Sequence, residues 1–271
     1  MQKKYLKYKK TLISSTLVLL FCLVANFTFS QNTCNSFLTD IQGNTYRFDN
    51  NELIKEQKST PTTFSYSNKL FGTLHSVDVS NPLRILLFYK DAQKIVITDN
   101  TLSAQNQKVI SLEEANLFQT QAIANSKIDN GIWMYDQAEF QLIKIDHFLN
   151  RIIETGNLEQ LLNLDSIKPI KMVEQGAFLY LQCENNGILV FDIYGSFYKS
   201  IPIENINHWN INNSYLYFST DKEIGIMNLK TNEFDNLETK EKIKDLHSKI
   251  VFLNQYSLFW CDNGSIIETK L

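Results

Sequence analysis

The sequence predicts an all-β chain folded as a β-propeller of six blades, each a four-stranded antiparallel sheet. Three observations lead there. A strand-turn-strand hairpin with an apolar first arm and an alternating second arm recurs six times. The acidic or amide residues that close these hairpins recur about every 44 residues, a length typical of propeller blades. Helical periodicity is scarce.

Taken in order, the first hairpin runs from Phe37 to Asp40, turns at Gln42-Gly43-Asn44 and returns over Thr45 to Asp49. The second pairs Ile85–Tyr89 with Ile95–Asp99, and the third pairs Ile132–Tyr135 with Gln141–Asp146. In the fourth, Phe178–Cys183 leads through Glu184-Asn185-Asn186-Gly187 into Ile188–Asp192, where aromatic and branched residues flank a turn pair that tolerates positive φ. Tyr215–Phe218 with Ile224–Asn228, and Tyr256–Trp260 with Ser265–Glu268, complete the set. An Asp or Asn at a strand end bonds the backbone two residues on, so turn formation accounts for the closing residues without any catalysis.

Between hairpins the sequence supplies further strands: Phe64 to Leu74, Val109 to Ala124, Arg151–Glu154, Ile170–Val173, Phe197–Ile201 and Lys249–Phe252. If Phe64 to Leu74 formed a blade of its own, the count would be seven. Leu112–Phe118 and Leu158–Leu164 have room for a turn or so of helix. The charged run Thr239–Asp245 reads as an exposed loop between blades. The four prolines, Pro61, Pro82, Pro169 and Pro202, fall at strand edges or between strands, where a missing N–H is harmless.

Residues 1–30 read as a signal peptide. Lys3, Lys4, Lys7, Lys9 and Lys10 precede an apolar run from Leu12 to Phe29, and the small residues Thr28 and Ser30 lie just before Gln31. Ser14, Ser15, Thr16 and Asn26 interrupt the run and argue against a retained membrane anchor. Neither Cys22 nor Cys34 has the small-residue context of a lipoprotein cleavage box. Residues 31–271 then form a single exported propeller domain without a transmembrane segment. The leader carries five of the 26 Lys and Arg and none of the 29 Asp and Glu, which leaves 21 against 29, a net charge of −8. So acidic a domain is a poor nucleic-acid binder.

Of the cysteines beyond the leader, Cys34, Cys183 and Cys261, an odd number cannot form a disulfide framework. Cys183 and Cys261 each stand just before a hairpin turn, two blades apart in a ring of six and too distant to bridge. Cys34 heads the first hairpin and Cys261 belongs to the last, so ring closure makes a Cys34–Cys261 disulfide a candidate. Buried thiols packed as small apolar groups are the alternative.

The stretch Phe191-Asp192-Ile193-Tyr194-Gly195-Ser196-Phe197-Tyr198-Lys199-Ser200-Ile201-Pro202 is similar to the Asp-x-x-Gly-x-x-x-x-x-Ile segment that joins blades in six-bladed NHL-type propellers. The other hairpins share only its rhythm. The WD-repeat, kelch and sialidase signatures are absent from the sequence. The chain most resembles small exported propellers of Gram-negative bacteria, which implies the periplasm or the outer cell surface. Some six-bladed propellers are calcium-dependent lactonases or phosphotriesterases, and likeness to them would imply a Glu, two Asn and an Asp around a central ion. No four residues of this sequence can be assigned to that pattern. Glu184, Asp221 and Asp262 fall in hairpin turns, where turn chemistry accounts for them.

No catalytic residue, metal ligand or cofactor-binding residue is assigned. His75, His147, His208 and His247 are scattered, with no zinc-binding or Cys-His grouping, and neither a nucleophile elbow nor a phosphate loop occurs. Trp133 and Trp260 lie in first arms, where they would fill the space between blades. Trp209, in the polar stretch Asn207-His208-Trp209-Asn210, is the aromatic residue expected as a surface anchor. The sequence therefore favours a monomeric, non-enzymatic interaction or scaffold module with a protein partner in the cell envelope, and a calcium-dependent hydrolase is the alternative.

Overall fold

In the computed structural model, residues 37–49, 51–103, 108–237, 250–262 and 265–270 are described. The expected leader, Cys34, His247 and the Thr239–Asp245 run lie outside these residues. Among the described residues no helix is long and apolar enough to cross a membrane.

The strands form six antiparallel sheets, the blades of a propeller, and each sheet is laid down in chain order. Blade 1 holds β1 (Phe37–Thr39), β2 (Thr45–Asp49), β3 (Glu52–Glu56) and β4 (Thr63–Ser67). Blade 2 holds β5 (Ser76–Asp78), β6 (Ile85–Tyr89), β7 (Lys94–Thr98) and β8 (Lys108–Ser111). Blade 3 holds β9 (Thr120–Asn125), β10 (Ile132–Asp136), β11 (Gln141–Ile145) and β12 (Arg151–Glu154). Blade 4 holds β13 (Pro169–Gln175), β14 (Phe178–Cys183), β15 (Gly187–Asp192) and β16 (Phe197–Ile201). Blade 5 holds β17 (Ile206–Asn212), β18 (Tyr215–Thr220), β19 (Ile224–Asn228) and β20 (Phe234–Asn236). Blade 6 shows three strands among the described residues: β21 (Ile250–Leu253), β22 (Ser257–Asp262) and β23 (Ser265–Lys270). The Phe64 to Leu74 segment supplies β4, the fourth strand of blade 1, so the blades number six.

Among the described residues, helix is confined to a 3₁₀ turn at Leu112–Ala115 and one short α-helix, α1 (Leu158–Leu162), within the two stretches where the sequence allowed it. Asn157 caps α1 by accepting from the Gln160 N–H.

The second strands of blades 2 to 5 are largely buried on both faces because a neighbouring blade covers each side. All five residues of β6 and of β10 are buried, which is why these arms read as unbroken apolar runs. Strand alternation then divides their side chains between two interfaces. Leu86 and Phe88 face blade 3 while Ile85, Leu87 and Tyr89 face blade 1. Trp133 and Tyr135 face blade 4 while Ile132 and Met134 face blade 2. The core is thus six separate apolar clusters, one between each pair of adjacent blades. Phe37 of β1 packs with Phe252 and Phe259 of blade 6 and closes the ring. Outer strands alternate or lie open, as in β4 and β12.

Five of the six repeating hairpins occupy the second and third strands of their blades. The first, β1–β2, sits one strand earlier, so the equivalent hairpin of blade 1 is β2–β3. The reason is local chemistry. Asp40 builds the same turn after a first strand that Asp99, Asp146 and Asp192 build after third strands. In each, the carboxylate accepts the N–H groups two and four residues on. Asn228 uses its amide oxygen similarly. Gly187, at φ +64°, opens β15 where a Cβ would lie 2.2 Å from the Ile201 carbonyl, so only glycine fits that approach.

Candidate functional site

Antiparallel order brings the first-to-second and third-to-fourth strand turns of every blade to one face. The first strands line the axis: β9 lies beside β5 and β13, and β21 beside β17 and β1. Their turns therefore converge on one end of the central channel. There they enclose a mouth of about 770 Å³ to which all six blades contribute, a volume in the range of ligand sites. Amides are its commonest polar groups, among them Gln42 and Gln57 from blade 1, Gln175 from blade 4, Asn210 and Asn212 from blade 5, and Asn254 from blade 6, and charged Asp40, Glu56, Lys58, Lys127 and Glu268 stand between them. Tyr256 stands on its rim.

Large apolar side chains stand out of this turn face. Ile41, Leu83, Ile128 and Tyr256 come from first turns, and Phe148 and Tyr194 from third-to-fourth turns; the least exposed of them, Ile128, is 59% exposed. A polar turn has no need of such residues, and their cost in water is borne by six separate turns. The opposite face exposes Leu70, Phe118 and Leu161 among charges such as Lys69, Glu113, Glu114 and Lys168.

Below the mouth, and sharing Thr39, Val79, Ser80, Val173 and Asn210 with it, lies a chamber of about 130 Å³. Leu38, Val77, Met172 and Phe252 give it apolar walls, and Lys171 of β13 lines it. The Lys171 ammonium donates to the Trp209 carbonyl (2.7 Å) and stands 4.6 Å from the centroid of the Trp209 ring. Burial pushes it down to about 8, opposed by the Asp78 carboxylate.

Hydrogen bonds at the blade interfaces hold the channel wall. Glu174, buried on β13, accepts from the Trp133 indole N–H (2.7 Å) and the Lys127 backbone N–H (2.7 Å), which ties blade 4 to blade 3. Asp78 accepts from the N–H groups of Asn125 and Ser80 and ties blade 2 to blade 3. Two lysines that are buried outright also lie over aromatic rings, Lys55 over Tyr46 and Lys144 over Trp133, whereas Lys171 is partly buried. Lys144 is paired with Asp129 (2.7 Å), and Lys55 lies in the field of Asp40 and Asp99. Burial and the hydrogen bond to Asp40 hold the Tyr46 phenol well above its usual value.

Trp209 is not a surface anchor. It is 2% exposed, packed between blades 4 and 5, and its indole N–H donates to the Gln182 amide oxygen (2.6 Å). Its polar neighbours misled because β17 alternates: Asn207 faces outward while Trp209 and Ile211 face the blade interface. The aromatic residues that do stand on the surface, Tyr256, Phe148 and Tyr194, sit in turns, and an aromatic within a polar turn was their available sequence signal. Cys183 is buried and free, with burial pushing its thiol up to about 12. Cys261 is partly buried beside Phe37 and Phe252 and is not free.

Glu184, Asp221 and Asp262 lie at second-to-third strand turns or their edges, apart from the channel mouth. Glu184 pairs with Lys168 and Asp221 accepts from Asn207. Among the described residues no group of three His, Cys, Asp or Glu side chains is placed to hold a metal ion. His75 stacks edge-on against Phe88, and His147 lies in the Asp146 turn beside Phe148.

Burial, with the Lys171 ammonium beside it, pushes His208 down from 6.5 to about 4. Between these values the unfolded chain takes up a proton that the folded chain refuses, so His208 removes stability as pH falls from about 6.5 toward 4. His208→Gln is expected to flatten that part of the profile. Urea unfolding of both proteins at pH 7 and pH 5 checks it, and an unchanged difference between the two pH values for the variant would contradict it.

No family model and no curated protein matches the sequence. The fold is similar to that of solved propellers. A streptogramin B lyase structure aligns at a TM-score of 0.58 and 13% identity over 90% of this chain and 86% of that one. The Pan2 WD40 domain of Neurospora crassa aligns at 0.57 and 10% identity, covering 88% and 79%. A catalytically inactive virginiamycin B lyase from Staphylococcus aureus, solved with quinupristin, aligns at 0.55 and 14% identity, covering 86% and 78%. Identities this low establish the fold alone.

Proposed function

We propose that the chain is an exported, monomeric, non-enzymatic propeller of the periplasm or outer surface of a Gram-negative bacterium, and that its turn face binds a protein partner in the cell envelope. The observation that carries this reading is the set of exposed apolar side chains that six turns place around one amide-lined mouth. Aromatic and aliphatic anchors of this kind supply most of the affinity of protein interfaces, and the amides of the mouth supply hydrogen bonds at a lower desolvation cost than the charged residues beside them. The ring buries its own strands between blades, which leaves its loop faces for partners. Export rests on the basic-then-apolar pattern of residues 1–30.

The test is crosslinking in cells followed by mass spectrometry, with a triple variant Phe148→Ser, Tyr194→Ser, Tyr256→Ser compared with Leu70→Ser, Leu161→Ser on the opposite face. The turn-face variant should lose the partner crosslinks at unchanged melting temperature, and the opposite-face variant should keep them. The reverse pattern would overturn the assignment of the face. An N-terminus at Gln31 in the envelope fraction is the expected sign of export, and an intact leader on a cytoplasmic protein would refute it.

A further inference from the structure

The channel runs from a mouth lined by amides and by charged residues, Lys58 and Lys127 among them, to a smaller, mainly apolar chamber whose described charged residues are Lys171 and Asp78. Lys144 has a carboxylate partner at 2.7 Å and Lys55 has two carboxylates in its field. Lys171 has neither arrangement. The carboxylate acting on it, Asp78, also lines the chamber and is bonded at both oxygens by backbone N–H groups, Ser80 at 2.8 Å and Asn125 at 2.7 Å. The ammonium donates to a neutral carbonyl and holds further donor capacity. A cation that burial has pushed toward neutrality gains when an anion joins it, because the charge pair restores what desolvation removed.

We propose that this funnel binds a carboxylate borne on a small branched apolar group, with the carboxylate on the Lys171 ammonium, the apolar group against Leu38, Val77, Met172 and Phe252, and Asn210, which lines both compartments, as a hydrogen-bonding neighbour. A chamber of about 130 Å³ has room for an aliphatic side chain of leucine size. Two sources carry this chemistry: a free short-chain acid, or the C-terminal residue of a polypeptide whose preceding backbone lies along the amides of the mouth. The peptide source deepens the docking reading of the turn face and rests on it. The free-acid source does not, so the two can fail separately.

Isothermal titration calorimetry of the purified protein at pH 7 would use three probes: isovalerate, an N-acetylated tripeptide ending in leucine with a free carboxylate, and the same tripeptide amidated. Binding of a carboxylate probe, with the amidated peptide at least tenfold weaker, is expected. Tighter binding of the peptide than of isovalerate assigns the peptide source, and the opposite order assigns the free acid. Lys171→Met should weaken carboxylate binding at least tenfold while the melting temperature holds or rises. Raising the pH to 9 should weaken it as the ammonium is lost, Asp78 and His208 being the other titratable groups acting on Lys171. Equal affinity for acid and amide, unchanged binding by Lys171→Met, or no heat from either carboxylate at millimolar concentration would overturn the proposal. The acid-against-amide comparison uses the unmodified protein and stands even if the variant fails to fold.

Discussion

Trp133→Ala is expected to lower the unfolding free energy by about 3–5 kcal/mol, the usual cost of emptying a fully buried aromatic site, with about 1–3 kcal/mol more for the buried polar group it strands. Trp133 is 0% exposed at the interface of blades 3 and 4, carries the Lys144 ammonium 5.1 Å from its ring centroid, and gives its N–H to Glu174. Without the indole, one oxygen of a buried carboxylate loses its donor while Lys127 still holds the other. For a domain of this size the melting temperature should fall by 10 °C or more, at about 2–4 °C per kcal/mol. Trp133→Phe separates the two contributions, since it keeps most of the bulk and removes the donor. Its expected loss is about 1–3 kcal/mol, again for the stranded oxygen. Thermal unfolding of the two variants side by side tests this, and a Trp133→Phe protein as stable as the parent would show that Glu174 does not depend on the indole.

Phe37→Ala should cost a similar amount, about 3–5 kcal/mol, because Phe37 is buried at the seam between the last blade and the first. The buried members of that seam are Phe37, Phe252 and Phe259, with the Phe37 ring 5.1 Å from that of Phe259. Cys261 lies partly buried in the same cluster, and Cys34 stands three residues before Phe37. Three residues of chain reach about 10 Å, compatible with the Cα separation of about 4.4–6.8 Å that a disulfide requires. We therefore propose that a Cys34–Cys261 bridge reinforces the closure. Joining residues so distant in sequence would contribute about 5 kcal/mol in chain-entropy terms. The unreduced protein should resist alkylation at both thiols, and reduction should destabilise the parent far more than a Cys34→Ser, Cys261→Ser variant. Alkylation of both thiols before reduction would end the idea.

Much of this fold was legible in the sequence, for a physical reason. A second strand covered by a blade on each side is largely apolar, as in β6 and β10, and a third-to-fourth turn is often held by a short oxygen acceptor. Ile85–Tyr89 and Asp99, or Leu179–Leu181 and Asp192, therefore announce a blade wherever they occur. The same local rule misplaced the first hairpin, since the Asp40 turn is chemically identical whichever pair of strands it joins. Only the order of strands within the sheet shows that it joins the first and second.

Side-chain destination was decided by tertiary structure. Trp209 and Tyr256 both lie among Asn and Gln in the sequence. One turns into the seam between blades 4 and 5 and the other stands 70% exposed at the channel mouth. Strand phase decides the first and turn position the second, and neither is encoded in composition. The channel mouth, and the chamber with Lys171 below it, draw on residues from all six blades. Residues that far apart in sequence share a site only because the ring closes, so the sequence determined the blades and their turns, while closure of the ring determined what they enclose.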